Sequence, residues 1–279
     1  MAKRLNLHAN FPYLIEVPNA ALGYLKSALS EEKVNVTNIY WYLPPREILE
    51  SISALLIKFQ NKRIDLFDPP ALFTAYLSRF FHADKATYSF GPTLIEHLLT
   101  TYNPLKKVNQ VAKTFKDYVD HSIENENMAD VDIAGFTVNF CQWIISSYIW
   151  SKLKELNPNI KVVVGGLATR SEAQTFMKTF RTVDYAVWGE GEIPLKELVR
   201  RIDDRKSLPE VPHLVYRDKN GLRSTDVPVC RVDPPFADHS DYFKRVKEFD
   251  IAIPPFIPIW GTRSCRWNKC KFCSVNRGI

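Results

Sequence analysis

Short apolar runs alternate along the chain with segments whose apolar residues follow a helical period. Runs rich in β-branched and aromatic residues predict strands at 3–9, 34–42, 131–138, 161–164 and 183–187. Apolar residues at helical spacing predict the connecting helices at 19–29, 142–156, 171–180 and 194–202. This alternation indicates a doubly wound α/β fold, Rossmann-like or flavodoxin-like, with a five-stranded parallel sheet.

The stretch from 44 to 125 interrupts this alternation. Its apolar residues keep a helical spacing, which predicts helices at 47–59, 70–81, 92–102 and 105–123. Because no strand pattern separates these helices, we expect a helical insertion or an expanded crossover connection. We therefore assign residues 1–210 to one α/β domain that carries the insertion.

After residue 210 the pattern changes again. Two short β-type runs flank Asp218-Lys219-Asn220-Gly221, a sequence typical of a hairpin with an Asn-Gly turn. The Pro-rich residues 226–258 have no clear period, and we interpret 211–250 as a hairpin followed by a linker. The apolar stretch 251–259 is expected to be the first strand of a second domain, which occupies 251–279.

Composition and charge exclude several classes of protein. The 279 residues are 46% hydrophobic and 24% charged, which is ordinary for a globular chain with a hydrophobic core. The net charge of +6 is spread along the chain, so it does not indicate a nucleic-acid groove. The apolar stretches are far shorter than the roughly 20 residues of a membrane helix, and the N-terminus lacks the apolar core of a signal peptide. We expect a cytoplasmic protein with no membrane or nucleic-acid partner.

Polar residues and glycines follow three of the predicted strands. Parallel strands present their carboxyl ends at one edge of the sheet, which is where such folds bind ligands. Glycines there let a bulky ligand approach the backbone and leave amides free as donors. The alternative, that these glycines only make tight turns, stays open. The candidate cofactor-binding residues are Thr137, Asn139, Gln142, Gly165, Gly166, Thr169, Gly189, Glu190, Gly191 and Glu192.

Three of the five cysteines lie within nine residues at one end of the chain. Cys265, Cys270 and Cys273 form a Cys-x4-Cys-x2-Cys cluster, which favours a metal site over a disulfide framework. Thiolates at this spacing suit zinc or an iron–sulfur cluster. A zinc knuckle needs a fourth ligand, which Cys230 or His239 is placed to supply. A four-iron cluster held by three cysteines instead leaves one iron open to a small molecule.

The sequence Thr262-Arg263-Ser264-Cys265-Arg266-Trp267-Asn268-Lys269-Cys270-Lys271-Phe272-Cys273-Ser274 resembles the cluster loop of radical S-adenosylmethionine enzymes, specifically the cobalamin-binding branch. Residues 162–169 and 183–192, with its Gly-Glu-Gly-Glu turn, are similar to strand ends of that family's cobalamin-binding domain. Residues 18–29 resemble its first helix, and 234–238 resemble the linker before its barrel. The resemblance covers nearly the whole chain except 44–125.

The resemblance implies a set of cofactors. Cys265, Cys270 and Cys273 would hold a [4Fe-4S] cluster, and S-adenosylmethionine would bind the open iron and be cleaved to a 5′-deoxyadenosyl radical. Phe272 would flank the adenine, and cobalamin in the α/β domain would carry a methyl group. A methyltransferase or a related radical enzyme is implied, with an electron donor for the cluster and a small-molecule or peptide substrate that the sequence does not name.

Three features depart from the family pattern. Ser264 and Asn268 stand where glycine is frequent, and the Asp-x-His-x-x-Gly motif of a cobalt-ligating histidine is missing. His8 is interpreted as a strand residue rather than a ligand. A complete barrel needs on the order of 200 further residues, so we expect the chain to be the N-terminal part of an enzyme and inactive by itself. The alternative is a non-catalytic Rossmann-like cofactor-binding module with a C-terminal zinc knuckle.

Overall fold

The computed structural model describes residues 2–60, 69–81, 104–139, 141–204, 206–229, 236–252 and 256–259. Seven strands in these residues join into a single sheet. They are β1 (Lys3–Ala9), β2 (Val34–Tyr40), β3 (Ile133–Thr137), β4 (Lys161–Leu167), β5 (Tyr185–Trp188), β6 (Leu214–Asp218) and β7 (Gly221–Ser224).

The helices of the described residues connect and cover these strands. They are α1 (Ala20–Ala28), α2 (Arg46–Gln60), α3 (Pro69–Phe81), α4 (Leu105–Asn125), α5 (Trp143–Leu156), α6 (Arg170–Thr179), α7 (Glu192–Arg201) and α8 (Ser240–Glu248). A single 3₁₀ turn lies at Leu208–Glu210.

The sheet has the strand order β2–β1–β3–β4–β5–β6–β7. The first five strands are parallel, as the sequence predicts, and their order is that of flavodoxin-like sheets. All five residues of β3 are buried, because the strand is central and helices pack on both faces of the sheet. The predicted α/β fold class is confirmed.

The hairpin is not separate from this sheet. Its first strand, β6, pairs antiparallel with β5 through Tyr185↔Tyr216 and Val187↔Leu214. The second strand, β7, then forms the edge, with Asp218 opposite Gly221 across a two-residue loop. The hairpin, which the sequence analysis places after the α/β domain, therefore belongs to that domain's sheet and extends it to seven strands.

The predicted helical insertion is confirmed over its described parts, α2, α3 and α4, whereas the predicted helix at 92–102 lies outside the described residues. In α4, buried residues recur every three or four positions, from Val108 through Phe115 to Ile123. The ring of Phe115 meets Phe11 edge-on at 5.5 Å. Burial of this stripe ties the insertion to the core of the α/β domain.

Three sequence interpretations need correction. The part of 211–250 that follows the hairpin is interpreted as a linker, but α8 forms within it. Tyr242, Val246 and Phe249 do have the i, i+4, i+7 spacing of a helix, but this signal spans only two turns within a Pro-rich segment and is missed from the sequence alone. A strand is predicted at 251–259, but the described residues 251–252 and 256–259 form none. The predicted strand 161–164 continues to Leu167, because Thr137 of β3 lies opposite Gly165 and Trp188 of β5 lies opposite Leu167. No helix of the described residues is long and apolar enough to cross a membrane.

Candidate cofactor site

A cleft of about 250 Å³ opens at the carboxyl edge of the sheet. It lies at the boundary between β1 and β3, where the connection after β1 runs to β2 on one side and the connection after β3 runs to β4 on the other. This switch point is the usual ligand site of an open α/β sheet. The carboxyl ends of β3, β4 and β5 form its floor and rim, and α1 and α7 form its walls. Eight of the ten strand-end candidates line it: Thr137, Asn139, Gly165, Gly166, Gly189, Glu190, Gly191 and Glu192.

The two glycines of β4 have different surroundings. A Cβ atom on Gly165 would meet no atom within 4 Å, so the backbone here borders open space. Gly166 has φ +89°, a conformation that glycine adopts without strain. A Cβ on Gly166 would also lie 2.8 Å from Oδ1 of Asn139. Gly165 thus leaves room for a ligand, and Gly166 brings the Asn139 amide close to the backbone.

The Gly-Glu-Gly-Glu sequence makes the turn from β5 into α7. Gly189 has φ +72°, and its amide donates to the carbonyl of Leu167 at 2.8 Å. Gly191 precedes the first residue of α7, Glu192. A Cβ on Gly191 would lie 3.3 Å from Cδ2 of Leu25 in α1. The turn therefore directs the N-terminus of a helix, which carries a partial positive charge, toward the cleft.

Apolar residues form the rest of the lining, and the sequence did not single them out. Side chains of this kind come from β1, α1, β4, β5 and α7. In a sequence such residues cannot be told from core residues, because both follow the same periodicity. They include Leu7, Leu22, Leu25, Val163, Val187 and Leu195.

Gln142 does not line the cleft but holds its rim. The side chain is buried, accepts a hydrogen bond from the Thr137 hydroxyl at 3.2 Å and donates to the Asn10 carbonyl at 3.1 Å. These bonds join the ends of β1 and β3. Gln142 therefore supports Thr137 from behind and is not placed to contact a ligand in the cleft.

Thr169 likewise lies outside the cleft lining. Its hydroxyl accepts a hydrogen bond from the amide of Glu172 at 3.2 Å, which caps α6. The carboxylate of Glu172 in turn accepts from the amide of Ala168 at 2.8 Å. This arrangement resembles a capping box, so the hydroxyl serves the helix start.

Trp188 and His213 form a second structural support that the sequence did not reveal. Their rings stack with centroids 3.6 Å apart, and the Trp188 amide donates to the His213 carbonyl at 3.2 Å. Arg170 lies 5.7 Å from the Trp188 ring, close enough for a cation–π contact. Burial lowers the pKa of His213 below its ordinary value. The stack fixes the end of β5 just before the Gly189 turn.

His8 is a core residue, as the sequence interpretation has it. Its ring is fully buried, stacks on Phe136 at 4.5 Å and accepts a hydrogen bond from the indole of Trp41 at 3.0 Å. Burial lowers the pKa of His8 to about 3. Because neighbouring side chains on a strand alternate, Leu7 faces the cleft and His8 points to the opposite face of the sheet.

The proposed metal ligands Cys265, Cys270 and Cys273 lie outside the described residues, as do Phe272 and Cys230. His239 is described, and its ring packs on α1, with Nδ1 2.7 Å from the point where a Cβ on Gly23 would sit. Both of its nitrogens are buried, and burial lowers its pKa. The ring is thus pressed against a helix backbone, which argues against His239 as the fourth ligand of a zinc knuckle. Within the described ranges, no three metal-ligating side chains come together.

The cleft suits one part of a corrinoid cofactor, the nucleotide tail, and not the corrin ring. Its volume is too small for a corrin ring, but its apolar walls suit the flat, apolar base at the end of cobalamin's nucleotide tail. The open backbone at Gly165 and the polar rim at Thr137 and Asn139 suit the amide and phosphate groups of such a ligand.

Comparisons with known proteins find similarity to cobalamin-dependent radical SAM enzymes and to a methyltransferase. The structure of the cobalamin-dependent S-adenosylmethionine radical enzyme OxsB, with aqua-cobalamin and S-adenosylmethionine bound, superposes with a TM-score of 0.55 at 15% identity, covering 97% of this chain and 28% of OxsB. The cobalamin-dependent radical SAM methyltransferase TokK of Streptomyces tokunonensis is 27% identical over 203 residues, 67% of this chain and 28% of TokK. An uncharacterized methyltransferase of Pyrococcus horikoshii is 27% identical over 147 residues, 52% of this chain and 32% of the relative.

No family model matches the chain. The likeness to OxsB shows a shared fold, and the resemblance to cobalamin-dependent radical SAM enzymes is confirmed at that level. The chain spans about a third or less of the length of these relatives.

Proposed function

We propose that the chain is the cobalamin-binding part of a radical S-adenosylmethionine methyltransferase or a related radical enzyme. The observation that carries the proposal is the cleft at the switch point of the sheet, with the open backbone of Gly165 at its rim. The sequence similarity to TokK supports the same assignment independently of the fold.

Different residues of the cleft would contact different parts of cobalamin. Leu7, Leu22 and Leu195 would bury the apolar base of the nucleotide tail, which removes apolar surface from water. Asn139 and the backbone of 189–192 would offer hydrogen bonds to the polar groups at the rim. The fold fixes all of these groups on strand ends and helix starts, so binding would need little reorganisation.

The proposal extends to two further cofactors through the cysteine motif. Cys265, Cys270 and Cys273 would hold a [4Fe-4S] cluster whose open iron takes S-adenosylmethionine, with Phe272 beside the adenine. When bound, these cofactors supply methyl transfer and radical chemistry, and the protein supplies placement and exclusion of water. An electron donor and a small-molecule or peptide substrate complete the proposal.

Retention of cobalamin tests the central claim. The chain, purified without oxygen and mixed with hydroxocobalamin, is expected to keep the corrin absorbance through gel filtration. In Gly165→Leu a side chain would fill the open space at the rim, so this variant is expected to elute nearly colourless while keeping the wild-type circular dichroism spectrum.

The matched control is Thr175→Leu, which puts the same side chain on the exposed face of α6. It should retain the corrin like the wild type. A wild-type chain that elutes colourless at high cofactor concentration would overturn the proposal. A Gly165→Leu variant that binds normally would move the site away from this cleft.

A further inference from the structure

Helix α1 has two functional faces. Ala21, Leu22 and Leu25 line the cleft on one side. On the other side, Gly23 and Lys26 contact the chain that returns after the sheet, residues 236–250, which we call the clasp. One nine-residue helix is therefore shared between the cleft and the clasp.

The start of the clasp is fitted closely to the backbone of α1. The Asp238 amide donates to the Gly23 carbonyl at 3.0 Å, and the Ser27 hydroxyl donates to the Phe236 carbonyl at 2.6 Å. The His239 ring occupies the space that a side chain at position 23 would need. This contact requires glycine in the helix and holds the clasp in one register on α1.

Lys26 and Asp241 form the ionic centre of the contact. Lys26 Nζ lies 2.7 Å from Asp241 Oδ2, and the two side chains are 16% and 22% exposed. Lys26 also donates to the Ser240 hydroxyl at 2.9 Å. Asp241 Oδ2 accepts a further hydrogen bond from the backbone amide of Asn38, at 2.8 Å, on the edge strand β2. Asp241 therefore joins α1 to the sheet, and its partial burial strengthens the pair compared with a surface ion pair.

Tyr242 extends the contact to the loop before α1. Its side chain is 1% exposed, and its hydroxyl donates to the Ile15 carbonyl at 2.7 Å. Its ring meets Tyr40 of β2 edge-on at 5.7 Å. The clasp thus holds the approach to α1, the helix itself and the neighbouring strand.

From this geometry we infer that the clasp sets the position of the cleft wall, with Lys26 and Asp241 as positioning residues for cobalamin binding. The inference rests on the proposed function of the cleft. Because α1 serves both contacts, occupancy of the cleft and docking of the clasp must stabilise each other by the same factor. Cobalamin should protect the clasp, although no residue of the clasp lines the cleft.

Lys26→Met tests the inference, since it keeps the aliphatic stem and removes the charge. We expect it to weaken hydroxocobalamin binding by about tenfold, within the usual range of coupling between two sites. Lys26→Arg restores the charge and should bind within about twofold of wild type. In hydrogen exchange, hydroxocobalamin should slow the amides of 240–248 in the wild type and have less effect on them in Lys26→Met.

The matched control breaks an exposed ion pair of the same clasp that does not involve α1. Arg46 pairs with Asp250 at 2.9 Å, and the side chains are 50% and 91% exposed. Arg46→Gln should bind hydroxocobalamin like the wild type. Normal binding by Lys26→Met, or no protection of 240–248 in a wild type that binds, would overturn the clasp inference and leave the proposed function standing. A wild type that binds no corrin would overturn both.

Discussion

Asn139 and Gly166 meet across two neighbouring strands at the rim of the cleft, where the amide oxygen of Asn139 lies 2.8 Å from the position a Cβ on Gly166 would take. Gly166 also has φ +89°. Two independent constraints, a close contact and a left-handed backbone, therefore require glycine here. The pair brings a side-chain amide and an exposed backbone together at the rim.

Gly166→Ala should destabilise the fold and weaken cobalamin binding together. We expect the free energy of unfolding to fall by about 1–3 kcal/mol, the usual cost of a residue held in a sparsely populated conformation. Urea denaturation measures this loss, and corrin retention measures the effect on the site.

The control lies one residue earlier in the same strand. Gly165→Ala adds its methyl group where no atom lies within 4 Å, so the free energy of unfolding should stay within about 0.5 kcal/mol of wild type. If the free energy of unfolding fell equally in the two variants, neither the contact with Asn139 nor the backbone angle would explain the need for glycine at position 166.

The sequence could predict the rim of the cleft but not its walls. Gly165, Gly166 and the turn 189–192 stand out because glycines directly after a buried strand are a local signal. Leu7 and Leu22 give no such signal, because the alternation that places them toward the cleft is the one that places other residues in the core. Topology, which no local pattern contains, decides which apolar face borders a ligand.

Gln142 and Thr169 show a second limit. Both are polar residues near a strand end, the pattern by which the sequence selects ligand contacts. In the structure both side chains form hydrogen bonds within the protein instead. Gln142 donates to the Asn10 carbonyl, and Thr169 accepts from the Glu172 amide. Polar side chains form helix caps and buried hydrogen-bond networks as readily as they bind ligands, and position in the chain does not distinguish these uses.

Thr169→Ala is therefore expected to affect stability and not cobalamin. Loss of the N-cap of α6 should lower the free energy of unfolding by about 1 kcal/mol. Thr169→Ser keeps the hydroxyl and should restore most of that loss. Both variants should retain hydroxocobalamin like the wild type, and impaired corrin retention by Thr169→Ala in the folded state would place the hydroxyl in the cofactor site after all.

His8 should make the fold sensitive to acid. Burial lowers its pKa from 6.5 to about 3, so between these values the unfolded chain binds a proton that the folded chain excludes. Stability from this group is present in full above pH 6.5 and is lost as the pH falls toward 3. The urea midpoint of the wild type should decrease between pH 7 and pH 5.

His8→Gln is the matched variant, because a glutamine offers an acceptor to the Trp41 indole and does not titrate. Its urea midpoint should fall less over the same pH interval. The two other histidines with lowered pKa values, His213 and His239, are present in both the wild type and the variant and cancel in the comparison. Parallel pH profiles for wild type and His8→Gln would show that His8 does not carry the sensitivity.

The metal bound by the cysteine motif distinguishes a radical enzyme from a zinc-binding module. After anaerobic reconstitution with iron and sulfide, a [4Fe-4S] cluster predicts about four iron atoms per chain and thiolate-to-iron absorbance. Cys265→Ser, Cys270→Ser and Cys273→Ser should each lose the iron while keeping cobalamin, because the cleft and the motif are built from different parts of the chain. Cys230→Ser is the control and should keep the iron.

A zinc knuckle predicts one zinc atom per chain instead. It also predicts that Cys230→Ser loses the metal, since the His239 ring is packed on α1 and the fourth ligand would have to be Cys230. One zinc per chain and no bound iron would therefore contradict the radical assignment even if the corrin is retained.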